Sequence, residues 1–148
     1  MSTSFSRDLE SYNRFILHIQ DRAYTLAVHL RGKDDPLAET IVQDVFREYF
    51  DLWKRSNPGG SINETRLLGL LLQRCRRSGP VLGPPEFNKS FNALTCDEKM
   101  ALILVDCIEC SCQEAAQVLA WPIPQLRRVL ASARLKIAPL LSRQVASL

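Results

Sequence analysis

Gln125, Arg127, Arg128, Arg134 and Lys136 crowd into one short stretch, and no acidic side chain follows Glu114. Guanidinium and ammonium groups gathered this way act by binding: they neutralise phosphates and release the counterions condensed on a nucleic acid. A second basic cluster, Arg74, Arg76 and Arg77, either meets nucleic acid as well or complements the negative end of a helix dipole. Bond-making chemistry finds no support. No histidine accompanies an acid and a candidate nucleophile, and no Gly-rich loop could cradle a phosphate. No catalytic residue and no cofactor are therefore expected.

Cys107, Cys110 and Cys112, with Cys96 upstream, could in principle offer thiolates to zinc, which usually takes four ligands with one Cys-x-x-Cys-like pair on each side. Only one such pair is present, so the expectation is no metal site and thiols that pack as small hydrophobes. His18 and His29 stand isolated on the first helical stretch and read as surface or packing residues.

The basic residues need elements to hold them, and the local signals are explicit. Ser111 followed by Glu114 is a capping box that opens one helix, and Pro122 and Pro124 open the next, where a missing N–H costs nothing. Together they spell a helix-turn-helix. Upstream, Thr95 with Glu98 repeats the capping-box pattern and starts a helix through Met100, Ala101, Ile103 and Leu104 to Cys107.

Apolar residues recur at spacings of three and four almost throughout, and no run alternates with period two, so the fold class is all-α. A long helix carrying Tyr12, Phe15, Ile16, Ile19, Ala23, Leu26 and Leu30 should end at Gly32. Asp35 and Pro36 open a second with Ile41, Val42, Val45, Phe46, Tyr49 and Trp53 as its stripe, and Asn63 to about Arg77 forms a third. Gly79, Pro80, Gly83, Pro84 and Pro85 then prevent helix and read as a semi-rigid extended tether. The expected organisation is two small helical modules, 1–78 and 93–148, joined by a Pro/Gly-rich linker over 79–92, with the helix-turn-helix in the second.

Composition agrees with a globular chain: 46% of residues are hydrophobic and 24% charged, enough apolar material for a core. A net charge of +3 is mild, so the electrostatic case rests on where the bases sit rather than on their sum. The amino terminus has no signal-peptide h-region and no run is long and apolar enough to span a bilayer, so a cytoplasmic protein without membrane insertion is expected. An odd count of five cysteines then suits reduced thiols.

The stretch Ala38-Glu39-Thr40-Ile41-Val42-Gln43-Asp44-Val45-Phe46 resembles the second conserved region of bacterial sigma factors, where a motif of the type AEDLVQEVF follows a long helix. The segment from Leu94 through Asp106 to the helix-turn-helix resembles region four, and two such modules on a short linker are the layout of the extracytoplasmic-function, or ECF, sigma factors. The resemblance implies a non-enzymatic specificity subunit whose partners are core RNA polymerase, promoter DNA and an anti-sigma factor. It implies polymerase docking by Glu39, Gln43, Asp44 and Phe46. It also implies base readout by Gln125, Arg127 and Arg128, types that pair bidentately with adenine and guanine, with Arg134 and Lys136 on phosphate.

Other readings of the same residues stay open. Phe46, Tyr49 and Trp53 form a stripe that could be core, the Gln43-Asp44 pair could be a solvated face, and Arg127 and Arg128 could merely solubilise a helical hairpin. The third helix runs directly into Ser78-Gly79-Pro80, where sigma factors continue into a basic segment that melts the promoter. A sigma-like mimic that binds an anti-sigma factor or polymerase without melting promoters fits that shortening. A stand-alone helix-turn-helix regulator, dimeric on a palindrome, is the third reading.

Overall fold

The computed structural model describes residues 2–32, 35–56, 63–83 and 91–146, and their side chains from 9 to 138. Every regular element among them is helical, in agreement with the all-α expectation.

Three helices make the first module: α1 (Ser2–Arg31), α2 (Leu37–Ser56) and α3 (Glu64–Ser78). The apolar period of α1 buries Tyr12, Ile19, Ala23, Leu26, Ala27 and Leu30 against Val42, Val45 and Tyr49 of α2 and Leu67, Leu68 and Leu71 of α3. Gly32 ends α1 in the left-handed region, φ +102°, and its N–H returns to the Val28 carbonyl at 2.7 Å. Asp35 opens α2 by accepting the Leu37 amide at 2.9 Å, and Asn63 opens α3 by accepting the Arg66 amide at 3.2 Å. The Tyr49 hydroxyl accepts from the Asn63 amide at 2.8 Å and donates to its carbonyl at 3.1 Å, which fastens α2 to the start of α3.

Residues 79–83, read as the start of a semi-rigid extended tether, lie against the end of α1. The Leu82 and Gly83 amides donate to the Leu30 and His29 carbonyls at 3.2 and 2.7 Å, filling acceptors that the end of α1 leaves open. Val81 is buried, and its carbonyl accepts from Lys99 Nζ at 3.3 Å. Phe91, fully buried, lies so close to Gly83 that a Cβ there would overlap its ring. Gly79, Pro80 and Gly83 lie outside any helix, but Val81 and Phe91 supply apolar anchors that a reading of the breakers alone overlooks. The remainder of the linker, 84–90, lies outside the described residues.

The second module contains α4 (Cys96–Leu102), a π-helical turn over Ile103–Cys107, α5 (Cys112–Leu119) and α6 (Ile123–Ala146). Both capping boxes form as expected, Thr95 with Glu98 and Ser111 with Glu114. The run to Cys107 is not one α-helix: the Ile108 amide reaches back five residues to the Ile103 carbonyl at 3.0 Å, and Glu109 follows at φ +62°. Leu126, Leu130, Ala133 and Ile137 face inward from α6, at the spacing of one helix face.

The modules pack on one another. α5 lies on α3 at Gly69, where a Cβ would stand 3.4 Å from the Val118 carbonyl oxygen, so the small residue permits the close approach. α1 meets the π-helical turn, and the buried side chains of both modules form one continuous core.

Candidate nucleic-acid interface

The turn between α5 and α6 is built by backbone. Ala120 sits in the left-handed region at φ 58°, ψ 43°, its amide bonds the Gln117 carbonyl at 3.2 Å, and the Trp121 amide bonds the Ala116 carbonyl at 2.9 Å. This is a Schellman motif with alanine at the position glycine favours. It stops α5 within one residue and redirects the chain so that Pro122 can accept the Leu126 amide and start α6.

With the Leu126, Leu130 and Ala133 face turned to the core, helical geometry sends Arg127 and Arg128 to solvent and leaves Gln125 half-buried at the helix start. The other two cations of α6 are engaged within the module. Arg134 donates to Asp106 in bidentate fashion, Nε at 3.2 Å and Nη2 at 2.6 Å. Lys136 Nζ donates to Glu98 Oε1 at 2.7 Å.

Glu98 is the one buried charged side chain among the described residues. Its Oε1 also accepts the Thr95 amide at 2.9 Å, and its Oε2 accepts the Ser132 hydroxyl at 2.7 Å. Burial by itself would raise this carboxyl, but Lys136, the Thr95 backbone and Ser132 together outweigh it and hold the group down at about 2.

At the end of α3, Arg74 forms an ion pair with Glu48 of α2, while Arg76 and Arg77 are exposed. On α2, Glu39 and Gln43 stand one turn apart, with Gln43 Nε2 donating to Glu39 Oε1 at 3.4 Å, and Asp44 is exposed beside them. Phe46 is half-buried and borders a shallow apolar groove with Leu9, Tyr12, Ile16 and Phe50. The Tyr12 hydroxyl donates to the Phe46 carbonyl at 2.7 Å, and Tyr12 stacks between Tyr49 and Trp53, both buried. Tyr49 and Trp53 are thus core, and Phe46 alone of that stripe reaches the surface.

The candidate residues therefore lie on three elements: Glu39, Gln43, Asp44 and Phe46 on α2, the arginine cluster on α3, and the remainder on α6. Two residues outside the expected set prove structurally central. Arg22 joins α1 to Glu64 of α3 and to Glu114 and Cys110 of the second module. Its position between Ile19 and Leu26 of the apolar stripe was legible in the sequence, but its partners were not. Glu98 was legible as a cap, but its bonds to α6 were not. Cys75 and Cys110 are buried, Cys107 and Cys112 half-buried and Cys96 exposed. Among the described residues no three His, Cys, Asp or Glu side chains gather where they could hold a metal ion, and no helix is long and apolar enough to cross a membrane.

No family model and no curated protein matches the sequence. The fold does match solved structures. The chain superposes on the structure of CnrH in complex with the cytosolic domain of CnrY with a TM-score of 0.75 and 16% identity, covering 96% of this chain and 94% of that one. It superposes on the co-crystal structure of the sigma factor RpoE with the anti-sigma factor NepR from Bartonella quintana with a TM-score of 0.67 and 19% identity, covering 90% and 98%. The chain thus has the two-module helical fold of the ECF sigma factors over nearly its whole length.

Proposed function

We propose that the chain is a sigma factor of the ECF type, which binds core RNA polymerase and directs it to promoters. The observation that carries this reading is the superposition on the sigma factor RpoE over 90% of the chain, alongside that on CnrH over 96%. The exposed Glu39, Gln43 and Asp44 beside half-buried Phe46 support docking of α2 on polymerase: polar groups surround an aromatic anchor, the usual anatomy of an interface. Exposed Arg127 and Arg128, with Gln125 at the start of α6, support readout of promoter DNA in the major groove. RpoE is complexed with an anti-sigma factor, and a partner of that kind is proposed for this chain as well.

A mimic that binds polymerase or an anti-sigma factor without opening DNA is favoured by one set of observations. Arg74, Arg134 and Lys136 are each paired within the chain, and α3 ends at Ser78. Size-exclusion co-migration with bacterial core RNA polymerase, followed by run-off transcription from promoter-containing genomic fragments, separates the readings. Binding with transcription is the expected result. Binding without transcription selects the mimic, and no binding leaves a stand-alone DNA-binding regulator.

A further inference from the structure

We propose that Glu98, Ser132 and Lys136 form a carboxylate clamp that sets the rotation of α6, so that Lys136 is a positioning residue for base readout and not a phosphate contact. The inference rests on the reading of α6 as the DNA-recognition helix.

The core face of α6 consists of Leu126, Leu130, Ala133 and Ile137. Apolar burial of this kind is non-directional and selects which face turns inward more than the exact angle of the helix. Direction comes from hydrogen bonds, of which Arg134 supplies an exposed pair to Asp106 and the Glu98 carboxylate a buried set. Arg128, Ser132 and Lys136 succeed one another at spacings of four, a single row along one side of α6. The lower two members donate to opposite oxygens of Glu98, each at 2.7 Å, while the third bond to that carboxylate comes from the backbone amide of Thr95 at the start of α4. The carboxylate is thereby tied to the capped start of α4. Arg128 lines the same surface recess as Thr95, Glu98, Ser132 and Lys136, so the clamp adjoins the arginine it would aim.

The geometry matters at the scale of base recognition. With side chains about 6 Å from the helix axis, a rotation of roughly 20° moves an arginine tip by about 2 Å. That displacement exceeds the tolerance of a bidentate hydrogen bond. Turning Lys136 toward a phosphate would also strip the ammonium from a carboxylate whose side chain is only 6% exposed, leaving a buried charge without its counter-ion.

The experiment uses the full chain bound to core RNA polymerase, a pool of randomised DNA duplexes, and the variants Ser132→Ala, Lys136→Ala and Lys136→Arg, with helicity checked by circular dichroism. Ser132→Ala removes one hydroxyl and no charge. The wild-type complex should enrich a sequence. Ser132→Ala and Lys136→Ala should each lose roughly tenfold discrimination at the bases next to Arg128, the range one bidentate contact supplies, and Lys136→Arg should restore it. The slope of log affinity against log salt should be the same for Lys136→Ala as for wild type. A slope reduced by about 0.9, with base preference kept, would make Lys136 a phosphate contact and overturn the proposal. Unchanged preference and unchanged slope in both alanine variants would overturn it equally, because the clamp would then contribute only stability. A wild-type complex that enriches no sequence would defeat the promoter-reading function itself.

Discussion

Arg22 of α1 donates from Nη2 to the sulfur of Cys110, the residue just ahead of the helix-turn-helix, at 3.1 Å. The same guanidinium forms an ion pair with Glu64 at the start of α3 and lies 3.7 Å from Glu114 of α5. One side chain thus touches the first module and the second together, where α1, α3 and α5 converge. Burial pushes the Cys110 thiol above its ordinary value, more than Arg22 pulls it down, so at neutral pH the sulfur is a protonated, weakly accepting partner.

Replacing Arg22 by methionine should therefore keep the packing of the stem and remove the polar link between modules. The expected cost is about 1–2 kcal/mol, around the low end of the roughly 1.5–3 kcal/mol for hydrogen bonds to charged groups, because Glu64 and Glu114 retain access to solvent. Guanidinium unfolding followed by circular dichroism gives the stability. Small-angle scattering should report a larger radius of gyration, and alkylation of Cys110 should accelerate. A variant as compact as wild type, with Cys110 equally protected, would show that the α3–α5 packing at Gly69 suffices alone.

Ala120 offers a test of the turn. An alanine held at φ 58° pays roughly 1 kcal/mol that glycine would not, although glycine adds entropy to the unfolded chain. Ala120→Gly should on balance stabilise the protein by up to about 1 kcal/mol, and the midpoint of thermal unfolding should rise. A fall in the midpoint would mean that the methyl group packs in the turn and outweighs its backbone strain.

Docking on α2 is tested by Asp44→Ala combined with Phe46→Ala. Asp44 is exposed and Phe46 only half-buried, so the double variant should keep its helicity and lose at least tenfold in affinity for core polymerase. Wild-type affinity in a normally folded double variant would remove α2 from the interface.

What could be read from the chain divides by distance along it. Both capping boxes link residues three apart, the stripe of α1 repeats every three or four, and the exposure of Arg127 and Arg128 follows from Leu126 and Leu130 facing inward. These are local rules, and they located α1 to α6 among the described residues. The partners of Arg134 and Lys136 lie 28 and 38 positions away, so no periodicity announces that these cations are already engaged. The π-helical turn escaped for a related reason: the apolar pattern from Met100 to Cys107 suits an α-helix, and the wider turn emerges only where the chain packs on α1. The burial of Val81 and Phe91 at the two ends of the linker depends on distant partners in the same way, which the prolines and glycines around them do not announce.

Glu98 supplies a pH test independent of any ligand. Its folded carboxyl titrates at about 2, well below the 4.5 of an unperturbed glutamate, so the folded state binds this proton more weakly than the unfolded chain does. The stability it contributes is then fully present above about pH 4.5 and is lost as pH falls toward 2. Other carboxylates also titrate in that window, which makes the comparison with Glu98→Gln decisive. Glutamine can still accept the Thr95 amide at its single carbonyl oxygen and donate from its NH2 to the Ser132 hydroxyl oxygen, but it carries no charge to titrate or to pair with Lys136. Denaturant unfolding measured from pH 7 to pH 2.5 should show the variant less stable at neutral pH and the two proteins converging as the acid limb is reached. Parallel curves offset by a constant amount would mean that Glu98 is protonated, or equally ionised, in both states, and that its bonds to α6 are not those of a carboxylate anion.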